Sequence, residues 1–376
     1  GVPPQTGAMP RPENLKPLTT LRIFAAAWVV LYHYWPLLVA GDRPGAVEKG
    51  YLGVELFFVL SGFILSHVYL QSFGEKRFSY GSFLWARLAR IYPVHLAVLA
   101  GLALLIAGAS AAGFEAGDNV VVWSSLPAQL LLLQAWGLGQ GGGWNHPSWS
   151  ISAEWFAYLA FPAFAMVFWP LRARPWIATA LAAVLVVVLN LVFPLFAGHP
   201  LTEATTAWGA LRIVPCFALG CAVYLLWRNK AVTSPVGAKA ITGALLAAIA
   251  AGAAFAIPDL VMVLLFGGLI LALASLASTG SNLMGSKLGV YLGEVSFAVY
   301  MVCIPWELVF TRVVGAALGL PDGLLPWPVW ALMFAGVIPA AMVVHHLVER
   351  PARNAMRAWE ASGFRIGGPR EVAEPT

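Results

Sequence analysis

Apolar residues run along this chain in long blocks, broken by short polar or Gly- and Pro-rich stretches. The blocks stand at about 18–40, 51–71, 80–108, 122–136, 150–169, 174–196, 206–228, 237–256, 258–278, 290–314 and 325–349. A helix needs about 20 apolar residues to cross the hydrocarbon core of a bilayer, and helical backbone satisfies its own polar groups there. The block at 122–136 is too short to cross comfortably and runs into the Gly-rich stretch 137–149. The others are long enough. The pattern predicts an all-α, polytopic membrane helical bundle, with about ten transmembrane helices plus one short non-spanning helix at 122–136.

Charge placement supports that count. If 122–136 returns to the side it came from, both termini share one side. That side then holds Arg11, Lys16, Lys76, Arg77, Arg172, Arg174, Arg228, Lys230, Lys239, Lys287, Arg350, Arg353 and Arg357. The other side keeps only Arg43 and Lys49, beside Glu115, Asp118, Glu203, Asp259 and Asp322. Lys and Arg accumulate in cytoplasmic loops, so both termini are expected in the cytoplasm. A crossing at 122–136 would turn the Arg-rich carboxyl end outward. Residues 1–17 are polar and Pro-rich and read as a disordered or extraneous N-terminal tail, 18–353 as one membrane domain, and 354–376 as a cytoplasmic C-terminal tail.

Composition narrows the function classes. Hydrophobic residues make up 60% of the chain and charged residues 10%, against about a quarter charged in soluble domains. This excludes a soluble globular enzyme and a disordered chain. Cys216 and Cys221 lie five apart on one expected helix, a poor geometry for a disulfide. With Cys303 they read as small buried residues. The net charge of +5 sits at the ends of apolar blocks, so the bilayer and not nucleic acid is the expected partner. No His, Cys and carboxylate spacing suggests a metal. No internal repeat supports an inverted-repeat transporter.

Ionisable groups at membrane depth are costly and therefore functional candidates. Arg22 and His33 are eleven residues apart, which puts both on one helical face, separated by about 16 Å along the axis. Glu55 begins the second block at a depth compatible with His33, and a carboxylate beside an imidazole suits a catalytic base. Ser61 and Gly62 interrupt the same block, as a helix contact or a close approach for a ligand. Arg87 and Arg90 share a face near the cytoplasmic end, an arrangement suited to phosphate, with Tyr92 and a kinking Pro93 directly after. In HPSWSISAEWFAY (146–158), Trp149, Ser150 and Glu154 cluster at the outer mouth of a span, with Ser150 and Glu154 at i,i+4. Arg212 is expected to pair with Glu154 or Glu294. His67, His95, His345 and His346 read as structural or interfacial. These residues leave two classes open: an enzyme with a polyanionic co-substrate, and a secondary transporter or flippase using the buried charges as a path.

The blocks Arg22-(ten residues)-His33, GVELFFVLSGFI (53–64), RLARIYP (87–93) and PSWSISAEWFAY (147–158) resemble, in order, those of the acyltransferase-3 family of integral membrane acyltransferases. Weaker matches are LRIVPCFALG (211–220), YLGEVSFAVYMVCIP (291–305) and ERPAR (349–353). The resemblance implies transfer of an acyl group, commonly acetyl, from cytoplasmic acyl-CoA (acetyl-CoA as co-substrate, no metal) to a hydroxyl of an extracytoplasmic saccharide or similar glycan-type acceptor. The expected location is a bacterial inner membrane. It implies His33 as the catalytic histidine and Glu55 as its acidic partner. Arg87 and Arg90 then bind CoA phosphates, and Arg22 matches the family's other required basic residue on the first span. Beyond what the resemblance implies, Arg22, Tyr92 and Ser61 are expected to join the donor site, and Trp149, Ser150 and Glu154, whose block has a less defined role in the family, are expected to face the acceptor. The match departs at Glu55, where relatives often carry Asp, and at Cys303, where relatives often carry His.

Overall fold

A computed structural model of the chain describes residues 15–114, 119–138, 142–320 and 323–363. The helices follow in the order α1 (Lys16–Tyr34), the short α2 (Gly45–Glu48), α3 (Gly53–Gly74), α4 (Tyr80–Ala111), the short α5 (Leu126–Leu130), α6 (Trp149–Phe168), α7 (Pro175–Ala197), α8 (Gly209–Arg228), α9 (Pro235–Ala254), α10 (Asp259–Ser278), α11 (Lys287–Leu318), α12 (Trp327–Val344) and α13 (Arg350–Ala361). A π-helical turn, His345–Glu349, joins α12 to α13. Among the described residues there is no strand, and nine helical stretches are long and apolar enough to cross a membrane. α1 is a tenth long helix, less apolar because it carries Arg22 and His33. The protein is thus an all-α polytopic bundle. Residues 354–361, expected in a tail, continue the last helix as part of α13.

Contacts between helix ends show that the long helices run up and down between two faces. At the face where α1 begins, Thr20 Oγ1 donates to Met284 O (2.6 Å), Asn229 Nδ2 to Arg172 O (2.8 Å) and Trp85 Nε1 to Met356 O (2.9 Å). At the opposite face Asp259 gathers Lys49 Nζ and Thr202 Oγ1, each at 2.5 Å, and Tyr51 OH at 2.7 Å. These are called the near and far faces below. α8 is enclosed by α3, α6, α7 and α10, whereas α7 turns Leu195 and Phe196 outward, 81% and 87% exposed, as a lipid-facing helix does.

Small residues bring α3 and α8 into backbone contact. A Cβ on Gly62 would fall 2.2 Å from Phe217 O, and one on Gly220 would fall 2.0 Å from Val59 O. The pairing of small residues is a common membrane device, and it gives Gly62 a packing role. Gly62→Ala or Gly220→Ala is expected to destabilise the bundle by about 1–3 kcal/mol through overpacking. Thermal melting in detergent reads this directly, and an unchanged midpoint in both variants would refute the close contact.

The stretch 122–136 does not cross. Trp123–Ser125 forms a single 3-10 turn, α5 has five residues, and the chain then turns back. Its tip docks on the middle of α4, where Tyr92 OH donates to Leu130 O (2.8 Å) and His95 Nε2 bonds Gln129 O (2.7 Å). The return limb is held by Ser152 Oγ, which donates to Leu132 O (2.7 Å) and accepts from Ala135 N (3.0 Å). Irregular backbone survives at membrane depth only where protein satisfies it. These side chains of α4 and α6 do so, and the segment is re-entrant.

Candidate active site in the membrane bundle

One stripe on each of several helices faces a common space. On α6, Ser150, Glu154 and Tyr158 recur every four residues and so share a face. On α4 the i,i+3 pair Arg87 and Arg90 does the same, Ser61 and Ile64 do so on α3, and Arg22 points in from α1. With Phe57, Phe58, Phe297, Ser296 and Tyr300 they line a cavity whose empty volume, mouth included, is about 780 Å³. Three guanidiniums and one carboxylate therefore meet within largely apolar walls. Ser61 Oγ donates to Glu154 Oε2 at 2.8 Å. The Arg87 guanidinium lies 5.2 Å from the Tyr158 ring centre, and its Nε is buried with no hydrogen-bond partner. A cationic donor left unsatisfied in a low-dielectric pocket favours an anionic ligand.

Beyond this cavity lies a second buried charge cluster, and it corrects the expected pairings. The Glu55 carboxylate is held by Arg212, through Nε at 2.8 Å and through a second guanidinium nitrogen. Arg212 also donates to Ala204 O (2.9 Å) and stacks 4.5 Å from the Trp149 ring centre, while Cys216 Sγ donates to Glu55 Oε2 (3.7 Å). Glu55 was expected on His33, and Arg212 on Glu154 or Glu294. Both residues lie in the first turn of α3 and α8, which start together at the far face. They share a depth, and in lipid a buried carboxylate takes the nearest cation.

His33 lies on α1 toward the far face, half-buried, with its ring edge-on to Tyr32 at 5.5 Å. His146 and Arg43 are close enough to act on its charge. Among the described residues its ring nitrogens make no hydrogen bond, and it does not line the cavity. The expected shared face thus brings only Arg22 into the cavity. Tyr92, expected in the donor site, turns its hydroxyl to Leu130 O of the re-entrant segment and does not line the cavity. Trp149 covers Arg212 and meets Phe58 edge-on at 5.9 Å, so it backs the site and does not line it. Arg22, Ser61, Arg87, Arg90, Ser150 and Glu154 do line it.

The sequence reading missed Tyr158, Ser296 and Tyr300. Tyr158 continues the Ser150–Glu154 spacing and was available from it. Tyr300 was hidden among apolar residues of α11; its OH donates to Pro147 O at 2.7 Å and pins the start of α6. Cys303 is buried, its Sγ donates to Tyr300 O (3.2 Å), and its carbonyl accepts from Tyr34 OH. It packs α11 against α1. No group of three His, Cys, Asp or Glu that could hold a metal occurs among the described residues.

Comparison with known proteins agrees with this architecture. Residues 17–346 match the acyltransferase-3 family model, described as an acyltransferase domain. Acyltransferase MdmB of Streptomyces mycarofaciens is 30% identical over 91% of this chain and 92% of its own length. Protein 2 in picA locus of Rhizobium radiobacter is 39% identical over 24% of this chain and 46% of its own length. No solved structure matches.

Proposed function

Since the chain belongs to the acyltransferase-3 family and is an integral membrane acyltransferase, we propose that it moves an acetyl group from acetyl-CoA, bound from the cytoplasm, to a hydroxyl of a saccharide or similar acceptor beyond a bacterial inner membrane. The observation that carries this reading is the convergence of Arg22, Arg87 and Arg90 on one apolar-walled cavity. Guanidiniums suit phosphate oxygens, and the aromatic walls suit an uncharged pantetheine arm. The near face carries most of the Lys and Arg of the loops and helix ends, so it is taken as the cytoplasmic one.

The reaction needs little beyond positioning and a base. The acceptor hydroxyl oxygen attacks the thioester carbonyl, the C–S bond breaks, and CoA leaves as the thiolate. The hydroxyl proton passes to His33, whose free ring nitrogens and far-face location suit an acceptor arriving from that side. The proton is returned to the thiolate. Glu55 then acts on this step only through the packing of α3 and α8.

Arg87→Gln and Arg90→Gln are each expected to weaken acetyl-CoA binding about tenfold or more, because a charge-assisted hydrogen bond contributes about 1.5–3 kcal/mol. Equilibrium binding of labelled acetyl-CoA to purified protein measures it. Unchanged affinity in both variants would count against the cavity as the donor site, and no saturable binding by the parent protein would remove acyl-CoA as donor.

A further inference from the structure

We infer that Arg353, on α13, holds the 3′-phosphate of the donor's nucleotide at the near-face end of the cavity; this rests on acyl-CoA being the donor. α13 is fastened along α4 by the Trp85 Nε1 bond to Met356 O (2.9 Å) and by the Trp85 and Trp359 rings, 5.5 Å apart. The two helices run in opposite directions. Arg353 precedes Met356 by three residues, which sets it about 4.5 Å deeper than that contact at 1.5 Å per residue. Arg87 and Arg90, two and five residues past Trp85, lie about 3 and 7.5 Å deeper by the same rise. The three guanidinium-bearing residues therefore lie within about 4.5 Å of one another in depth, two of them lining the cavity and Arg353 outside it.

Arg353 differs from its helix neighbours. Arg350 and Arg357 are exposed, whereas Arg353 is half-buried against the bundle. Its charge acts on Arg90, and among the described residues it joins no ion pair. Glu349 also acts on Arg90, but its carboxylate is bonded to His345 Nδ1 at 2.5 Å, with both side chains 2% exposed. Among the described residues Glu154 is the one carboxylate lining the cavity with Arg22, Arg87 and Arg90, and it also accepts from Ser61. With Arg353 added, the cations outnumber it, and an excess of buried like charge calls for a bound anion. An acyl-CoA molecule offers two. Its diphosphate adjoins the pantetheine arm and reaches Arg87 and Arg90. Its 3′-phosphate lies on the ribose beyond, in the part of the molecule that the membrane cavity has no need to admit. Arg353 stands where that second group must remain.

Displacement of labelled acetyl-CoA by CoA and by 3′-dephospho-CoA, on the purified full chain, tests this. The parent protein is expected to bind CoA about tenfold more tightly than 3′-dephospho-CoA. In Arg353→Gln the ratio should fall to about one, with 3′-dephospho-CoA affinity unchanged. Arg353→Lys, which keeps the charge, should retain part of the preference, and it guards against misfolding of the first variant. A parent protein indifferent to the 3′-phosphate overturns the assignment. So does an Arg353→Gln protein that keeps the full ratio, as it would if the guanidinium held an anionic lipid headgroup. Failure of every CoA species to displace the label would instead overturn the donor reading itself.

Discussion

His33→Ala is expected to reduce acyl transfer by about 10²–10⁴-fold, the usual contribution of a positioned base, while acetyl-CoA binding stays within twofold of the parent. The separation of roles follows from the geometry. The guanidiniums line the cavity from α1 and α4, and His33 stands eleven residues beyond Arg22, about 16 Å along the helix axis. Losing the imidazole removes no cavity wall. Thiol release from acetyl-CoA in membrane vesicles, measured beside donor binding, separates turnover from affinity. Glu154→Gln is the matched comparison, because Glu154 is the carboxylate inside the cavity and takes the Ser61 hydroxyl. Should Glu154→Gln bind donor and fail to turn over while His33→Ala works normally, Glu154 would be the base and the cavity itself the reaction chamber. Acetylated His33 recovered after incubation with donor alone would instead favour attack by the imidazole before transfer.

The fold was legible because lipid leaves the chain few choices. Block length and Lys/Arg placement already limited 122–136 to a non-crossing role, and the structure adds that it dips to Tyr92 and His95 of α4. Nothing local could reveal that depth, since the contacts that hold the segment come from Ser152 and from α4. Cavity residues at helical spacing on one element were also readable. Arg87 with Arg90, and Ser150 with Glu154, share faces by arithmetic alone. Pairings between elements were not. Glu55 could be placed at the depth of His33, but Arg212 was available at that depth too, and only the packing of α3 on α8 through Gly62 and Gly220 decides which reaches the carboxylate. Tyr92 sits two residues past Arg90, which is most of the way to the opposite face of a helix, so it turns to α5.

Arg212→Met is expected to destabilise the protein by about 3–5 kcal/mol, the cost of stranding one member of a buried ion pair. Both side chains are nearly sealed, at 3% and 1% exposure, so no water can replace the lost partner. Arg212 also satisfies Ala204 O and lies against the Trp149 ring. The carboxylate left behind would keep only the weak Cys216 Sγ donor at 3.7 Å. Glu55→Gln should cost less, since an amide oxygen can still accept from the guanidinium left without a counter-charge, which also keeps Ala204 O and the Trp149 ring. The double change Glu55→Leu with Arg212→Met should recover much of the loss, because apolar replacement of a whole buried pair is often neutral or better. Thermal melting of the parent, Arg212→Met, Glu55→Leu and the double variant in one detergent gives the cycle, with Glu55→Gln measured beside them. The same set separates structure from chemistry at Glu55. A double variant that melts like the parent and still transfers acyl groups makes the pair a clamp between α3 and α8. A Glu55→Gln protein with parent stability and donor affinity but no transfer would return Glu55 to the reaction, as the acidic partner that the family resemblance implies.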